Sequence, residues 1–209
     1  MNTKSRRAVW IAAVALGISL NGVETILQFK NFVEVSPFAD GDNWFLTTPL
    51  EYEIRNTGVV VPVPKGFVTD FASIPRPFWS VLPRWGKYGP PAVVHDYLYW
   101  DQRCTRAQAD RMLYVSMEES GVNWFWRLVI HRAVHWGGYF AWKSNAALRA
   151  SGKSREIPDG YELPDPTVSW DEVQQAIYDR GDRPPKRPSQ EPPPPYCAQV
   201  DALALEESK

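Results

Sequence analysis

Cysteine is scarce in this chain, with two residues among 209, and so is net charge, which stands at −1 at neutral pH. Cys104 stands just before a helical pattern and Cys197 in a proline-rich stretch, which speaks against a disulfide framework and against a cysteine-based metal site. Cysteine usage therefore leaves the redox compartment unread. No basic block exceeds Lys4-Ser5-Arg6-Arg7, so there is no electrostatic footprint for DNA or RNA, and nucleic acid is set aside as a partner. Long apolar runs are also scarce. The uncharged stretch Ala8 to Val23 is strongly apolar only as far as Leu20, short for a membrane span, and Asn21-Gly22-Val23-Glu24 is a poor cleavage site. Behind the basic start Lys4, Arg6 and Arg7, residues 1–28 read as a signal peptide or an uncleaved signal anchor, with a buried helix as the bland alternative. The positive-inside rule then sends the rest to the periplasm or exterior.

Aromatics, by contrast, abound: ten Trp, nine Tyr and nine Phe. They crowd at Trp124-Phe125-Trp126 and between Trp136 and Trp142, where core packing is the first reading and a lipid interface or partner surface the second. Proline marks the other end, with Pro184-Pro185, Pro188 and the run Pro192 to Pro195. This divides the chain into residues 1–28, a globular module over 29–152 and a mostly disordered tail over 153–209. Trp170, Val173 and Ile177 fall at helical spacing and predict one short helix around Ser169 to Tyr178 within that tail.

Within the module, Phe32 to Val35, Trp44 to Leu46, Glu51 to Arg55 and Val59 to Val63 read as short strands, with Asn56-Thr57-Gly58 as a hairpin turn and Pro62 marking an edge. A proline-punctuated loop follows Gly66 and contains Thr69-Asp70-Phe71-Ala72-Ser73. Three helices are expected next. One opens at Pro91 and runs to about Trp100, one is capped by Thr105 and Gln108 and runs to Ser120, and one runs from Asn123 to about Trp142. The class is α+β, a small antiparallel sheet followed by a three-helix half.

On the first helix His95 and Tyr99 share a face, while Asp96 points about a quarter-turn away. Asp110 shares a lane with Leu113 and Met117 on the second helix, an odd place for a charge without a partner. An antiparallel arrangement brings it to His95, where it would fix the imidazole tautomer and let the other ring nitrogen take a proton from water. Asp96 would hold a hard cation with Asp70 and loop carbonyls, and oxygen ligands of this kind suit calcium. The bland readings are a helix-face His-Asp pair and an Asp70 that caps its own turn with Thr69. His131 and His135 have zinc-ligand spacing and would recruit His95 in a third reading, but their helix lacks the Glu of a zincin.

Gly66-Phe67-Val68-Thr69-Asp70-Phe71-Ala72-Ser73-Ile74-Pro75, Gly86-Lys87-Tyr88-Gly89, His95-Asp96-Tyr97-Leu98-Tyr99 and Ala109-Asp110 together resemble the phage and prophage family catalogued as domain of unknown function 1353, over about Phe29 to Gly138. More distantly, His-Asp-x-x-Tyr followed by an Asp on a second helix is similar to the catalytic helices of secreted phospholipases A2. That resemblance implies His95 as general base, Asp96 and Asp70 with the Phe71 carbonyl as calcium ligands, and Asp110 with Tyr99 as the orienting shell. Val93-Val94 stand where those lipases usually have a cysteine, and Gly86 and Gly89 echo their calcium loop only in part. The expectation is a phage or prophage accessory protein, anchored in the inner membrane or exported to the periplasm. It would cleave ester lipids of the cell envelope with calcium, in lysis or penetration. The competing expectation is a non-catalytic module bound to virion or tail proteins.

Overall fold

A computed structural model describes residues 29–71, 86–163, 165, 167–185 and 191–206. The expected signal segment over 1–28 and the Ala72 to Pro75 end of the loop motif lie outside these residues. Within these residues five short strands form two antiparallel sheets: β1 (Val35–Pro37), β2 (Trp44–Leu46) and β5 (Val68–Thr69) in the order β1-β2-β5, and a hairpin of β3 (Leu50–Glu53) with β4 (Val60–Val63). In the hairpin Leu50 and Tyr52 face Val63 and Val61, all four fully buried, while Glu51 and its partner Pro62 point to solvent. That alternation is the period-2 pattern of a half-buried sheet. Arg55, Asn56 and Gly58 turn the chain with positive φ, as the Asn-Thr-Gly signal predicts.

Five helices follow among the described residues: α1 (Gly89–Asp101), α2 (Arg106–Glu119), α3 (Trp124–Ala150), α4 (Trp170–Asp179) and α5 (Pro195–Glu206). Helix α1 starts two residues ahead of the predicted Pro91, with its prolines in the first turn where a missing N–H costs nothing. Every residue of α1 except Pro90 is buried, so it is the central rod of the module. The predicted capping box of α2 is present, with Thr105 accepting from the Gln108 N–H and Gln108 accepting from the Thr105 N–H. Helix α3 overruns its predicted end at Trp142 by two turns, because nothing breaks the pattern before Ser151 and Gly152. The three helices pack against one another, and α1 also meets β4 and β5. The architecture is α+β.

The expected disordered tail is corrected over its described residues, which fold back onto the module. Glu156 bridges to Phe67, the Ile157 N–H donates to the Gly66 carbonyl, and a Cβ on Gly66 would stand 2.4 Å from the Ile157 oxygen, so only glycine admits this strand-like approach. The predicted helix near Ser169 is α4, whose Trp170, Val173 and Ile177 bury against Phe38 and Val68. Helix α5 packs on α2, and Cys197 in its first turn forms a disulfide with Cys104. The reading that set disulfides aside fails because the tail's return brings the two Cα atoms to 5.3 Å.

Candidate active site

The central position of α1 buries His95 and Asp96 at 3% and 5% exposure, on adjacent positions that face different surroundings. Toward α2, His95 Nε2 lies 3.3 Å from Asp110 Oδ1, and the Tyr99 hydroxyl donates to that same oxygen. The other carboxylate oxygen, Oδ2, accepts from Arg106 Nη1 at 3.0 Å, and Arg106 also donates to the His135 carbonyl on α3. Burial alone would push the Asp110 carboxyl up, but the hydrogen bonds from His95 and Tyr99 and the Arg106 charge hold it below the usual carboxylate value. Burial, followed by the Asp110 hydrogen bond and charge, pushes the Tyr99 phenol far above its ordinary value, so it stays a donor. Tyr99 reaches this place because α3 carries Gly138 there, where an added Cβ would stand 2.2 Å from the Tyr99 oxygen.

His95 Nδ1 is buried and has no hydrogen-bond partner among the described residues. A proton on Nε2, donated to Asp110, leaves Nδ1 as a lone-pair base inside the protein. One ring nitrogen is thus pinned by a carboxylate and the other keeps its lone pair, which is what a general base requires.

On the other side of α1, Thr69 Oγ1 donates to Asp96 Oδ2 at 2.5 Å and accepts the Phe71 N–H at 3.0 Å, tying the end of β5 to the helix. Phe71 follows with a left-handed φ of 58° and a buried ring. Asp70 is half-buried, 3.8 Å from Arg155 Nη2. The Tyr88 hydroxyl is buried and without a hydrogen-bond partner among the described residues; burial first, then the charges of Asp96 and Asp70, push its pKa well above the tyrosine value. The two carboxylates thus bear on one buried polar atom. Together with the Phe71 carbonyl they are hard oxygen donors of the kind calcium takes, and calcium's remaining ligands would be water or further chain oxygens.

His131 and His135 stack on each other on α3, 6.5 Å between ring centroids, and among the described residues no three His, Cys, Asp or Glu side chains gather as metal ligands. Two contributors escaped the sequence reading. Arg106 had a signal, its four-residue spacing to Asp110. Gly138 had none, since its neighbour Tyr99 lies on another helix.

Fold and site together define an α+β domain organised around a buried His-Asp pair. Residues 44–134 match the family described as "Protein of unknown function (DUF1353)". A curated relative, "Uncharacterized protein y4jT" of Sinorhizobium fredii (strain NBRC 101917 / NGR234), is 31% identical over 118 residues. The matched segment covers 53% of this chain and 35% of the relative, so the chain spans about a third of that protein's length. No solved structure matches.

Proposed function

We propose that the module is a carboxylic ester hydrolase of the phospholipase A2 type, acting on envelope lipids, with His95 as its general base. The observation that carries this reading is the His95 ring, held through Nε2 by Asp110 and left with a buried Nδ1 that has no partner among the described residues. A water deprotonated by Nδ1 attacks the ester carbonyl, and the imidazolium is stabilised by Asp110 while Tyr99 and Arg106 hold that carboxylate in place. The proton then passes from His95 to the alcohol oxygen as the ester C–O bond breaks, giving a carboxylic acid and an alcohol. Calcium, when bound by Asp96, Asp70 and the Phe71 carbonyl, supplies positive charge for the developing oxyanion. Thr69 holds that side of the site in shape by tying Asp96 to the Phe71 N–H.

The Cys104–Cys197 disulfide supports an exported protein, since such bonds persist in oxidising compartments. Among the described residues no helix is long and apolar enough to cross a membrane. In a phage or prophage setting the activity would serve lysis or penetration.

The test is cleavage of a phospholipid with a labelled acyl chain by the full chain in millimolar calcium. His95→Ala is expected to lower turnover by about a hundredfold to ten-thousandfold with the near-ultraviolet dichroism retained. Activity that persists unchanged in that variant refutes the reading.

A further inference from the structure

Helix α3 carries an exposed aromatic face that the His95 site does not use. Trp124, Phe125, Leu128, Trp136, Tyr139 and Phe140 are all exposed, Trp136 by 80% and Phe140 by 76%. At 3.6 residues per turn these six fall on one half of the helix, opposite the half that buries Ile130, Gly138 and Asn145 against the module. So large an exposed apolar face on one element marks a surface with a partner. Charge narrows the choice of partner. The 27 residues of α3 contain no Asp or Glu, and its four basic side chains are Arg127, Arg132, Lys143 and Arg149. Arg127 and Arg149 turn inward, to Glu118 and to the Trp100 ring and carbonyl. Arg132 and Lys143 are exposed among the aromatics, and the Lys143 ammonium sits 4.9 Å above the Tyr139 ring.

We infer that this face docks α3 flat onto an anionic lipid surface, its aromatics at the headgroup boundary and Arg132 and Lys143 on the lipid phosphates. Trp and Tyr favour that boundary because each pairs an apolar ring with a polar group, and basic stems reach past buried rings to the headgroups. A second copy packed symmetrically on the same face fits worse, since it would set Arg132 and Lys143 against like charges with no carboxylate on either helix to answer them. Helix α3 lies on the surface rather than across it, as it is not apolar enough to span. The docking face is distinct from the His95 site and needs no turnover there, so it holds in a catalytically inert chain as well.

An environment-sensitive nitrobenzoxadiazole label on Phe140→Cys in the full chain, with the native disulfide intact, reads this face directly; the same label on Asp171→Cys of α4 is the control. Vesicles of equimolar phosphatidylcholine and phosphatidylglycerol are expected to shift the emission at position 140 to the blue, with no shift at 171. Removing both exposed cations, Arg132→Gln with Lys143→Gln, is expected to weaken the vesicle dependence roughly thirtyfold, about fivefold per cation near an anionic surface. No vesicle-dependent shift at 140 overturns the inference. So does a shift that grows with protein concentration in the absence of lipid, which assigns the face to a second copy. Emission already blue in dilute, lipid-free protein gives the face to another part of the chain. An equal shift with pure phosphatidylcholine, unaffected by the double variant, overturns the anionic assignment. Hydrolysis of a water-soluble short-chain ester, measured separately, reports on His95 without reference to this surface.

Discussion

Asp110 keeps its charge in a buried position because three side chains donate to its two oxygens. The geometry of that cluster depends on a residue without a side chain. A methyl group at position 138 would overlap the Tyr99 hydroxyl, and the clash can be relieved only by moving Tyr99 off Asp110 or α3 off α1. Gly138→Ala is therefore expected to destabilise the fold by about 1–3 kcal/mol in a denaturant titration. The loss should shrink when Tyr99 is already Phe, because the oxygen that meets the new methyl is gone. An equal loss in both backgrounds would show that the glycine serves something other than Tyr99. The His95–Asp110 pairing was legible in the sequence, since a charge in a lane with Leu113 and Met117 needs a partner and α1 offers one. The isolation of His95 Nδ1 was not, for it depends on what every surrounding element leaves beside the ring.

Between elements, Glu119 at the end of α2 clamps the β3–β4 hairpin, accepting the Tyr52 hydroxyl and, at 2.8 Å, the Arg55 N–H. Burial raises its carboxyl from 4.5 to about 7 despite these donors. Folding thus favours the protonated form. The stability this group contributes is fully present below pH 4.5 and is lost as pH rises through about 7. Thermal unfolding across that window should show a slope that Glu119→Gln flattens, and an identical slope in the variant would refute the assignment. Short-range signals read well at this scale: the Thr105–Gln108 capping box, the Gly58 turn and the Trp170-Val173-Ile177 spacing each name a real element. Helix α5 was hidden by its prolines. Pro195 reads as a breaker but occupies the first helical position, and Tyr196, Val200 and Leu203 then bury at helical spacing.

Across the whole molecule, the returning segment ties the end of α1 and the start of α2 to α5. Gln108 serves twice, closing the α2 cap through Oε1 and donating from Nε2 to Asp201 at 2.6 Å. Arg103 bonds Asp101 and reaches Glu191 at 3.5 Å, and the Tyr196 hydroxyl donates to Asp101. The Cys104–Cys197 disulfide spans a separation of 93 residues, a loop whose closure is worth about 4.6 kcal/mol through the entropy of the unfolded chain. Cys104→Ser and Cys197→Ser should each lower the denaturant midpoint, as should reduction of the native protein. A midpoint that ignores reductant would mean that the noncovalent contacts of α5 alone fix the segment. None of this closure was readable from two cysteines so far apart, because loop length in sequence says nothing about where a chain returns.

That separation also sets an order in time. A nascent chain that has reached residue 150 already holds His95, Tyr99 and Asp110, yet the sulfur that fastens Cys104 has not been made. The residues of the histidine pair are made early and the latch late, so a chain cut short before residue 197 carries His95, Tyr99 and Asp110 on a scaffold without its disulfide.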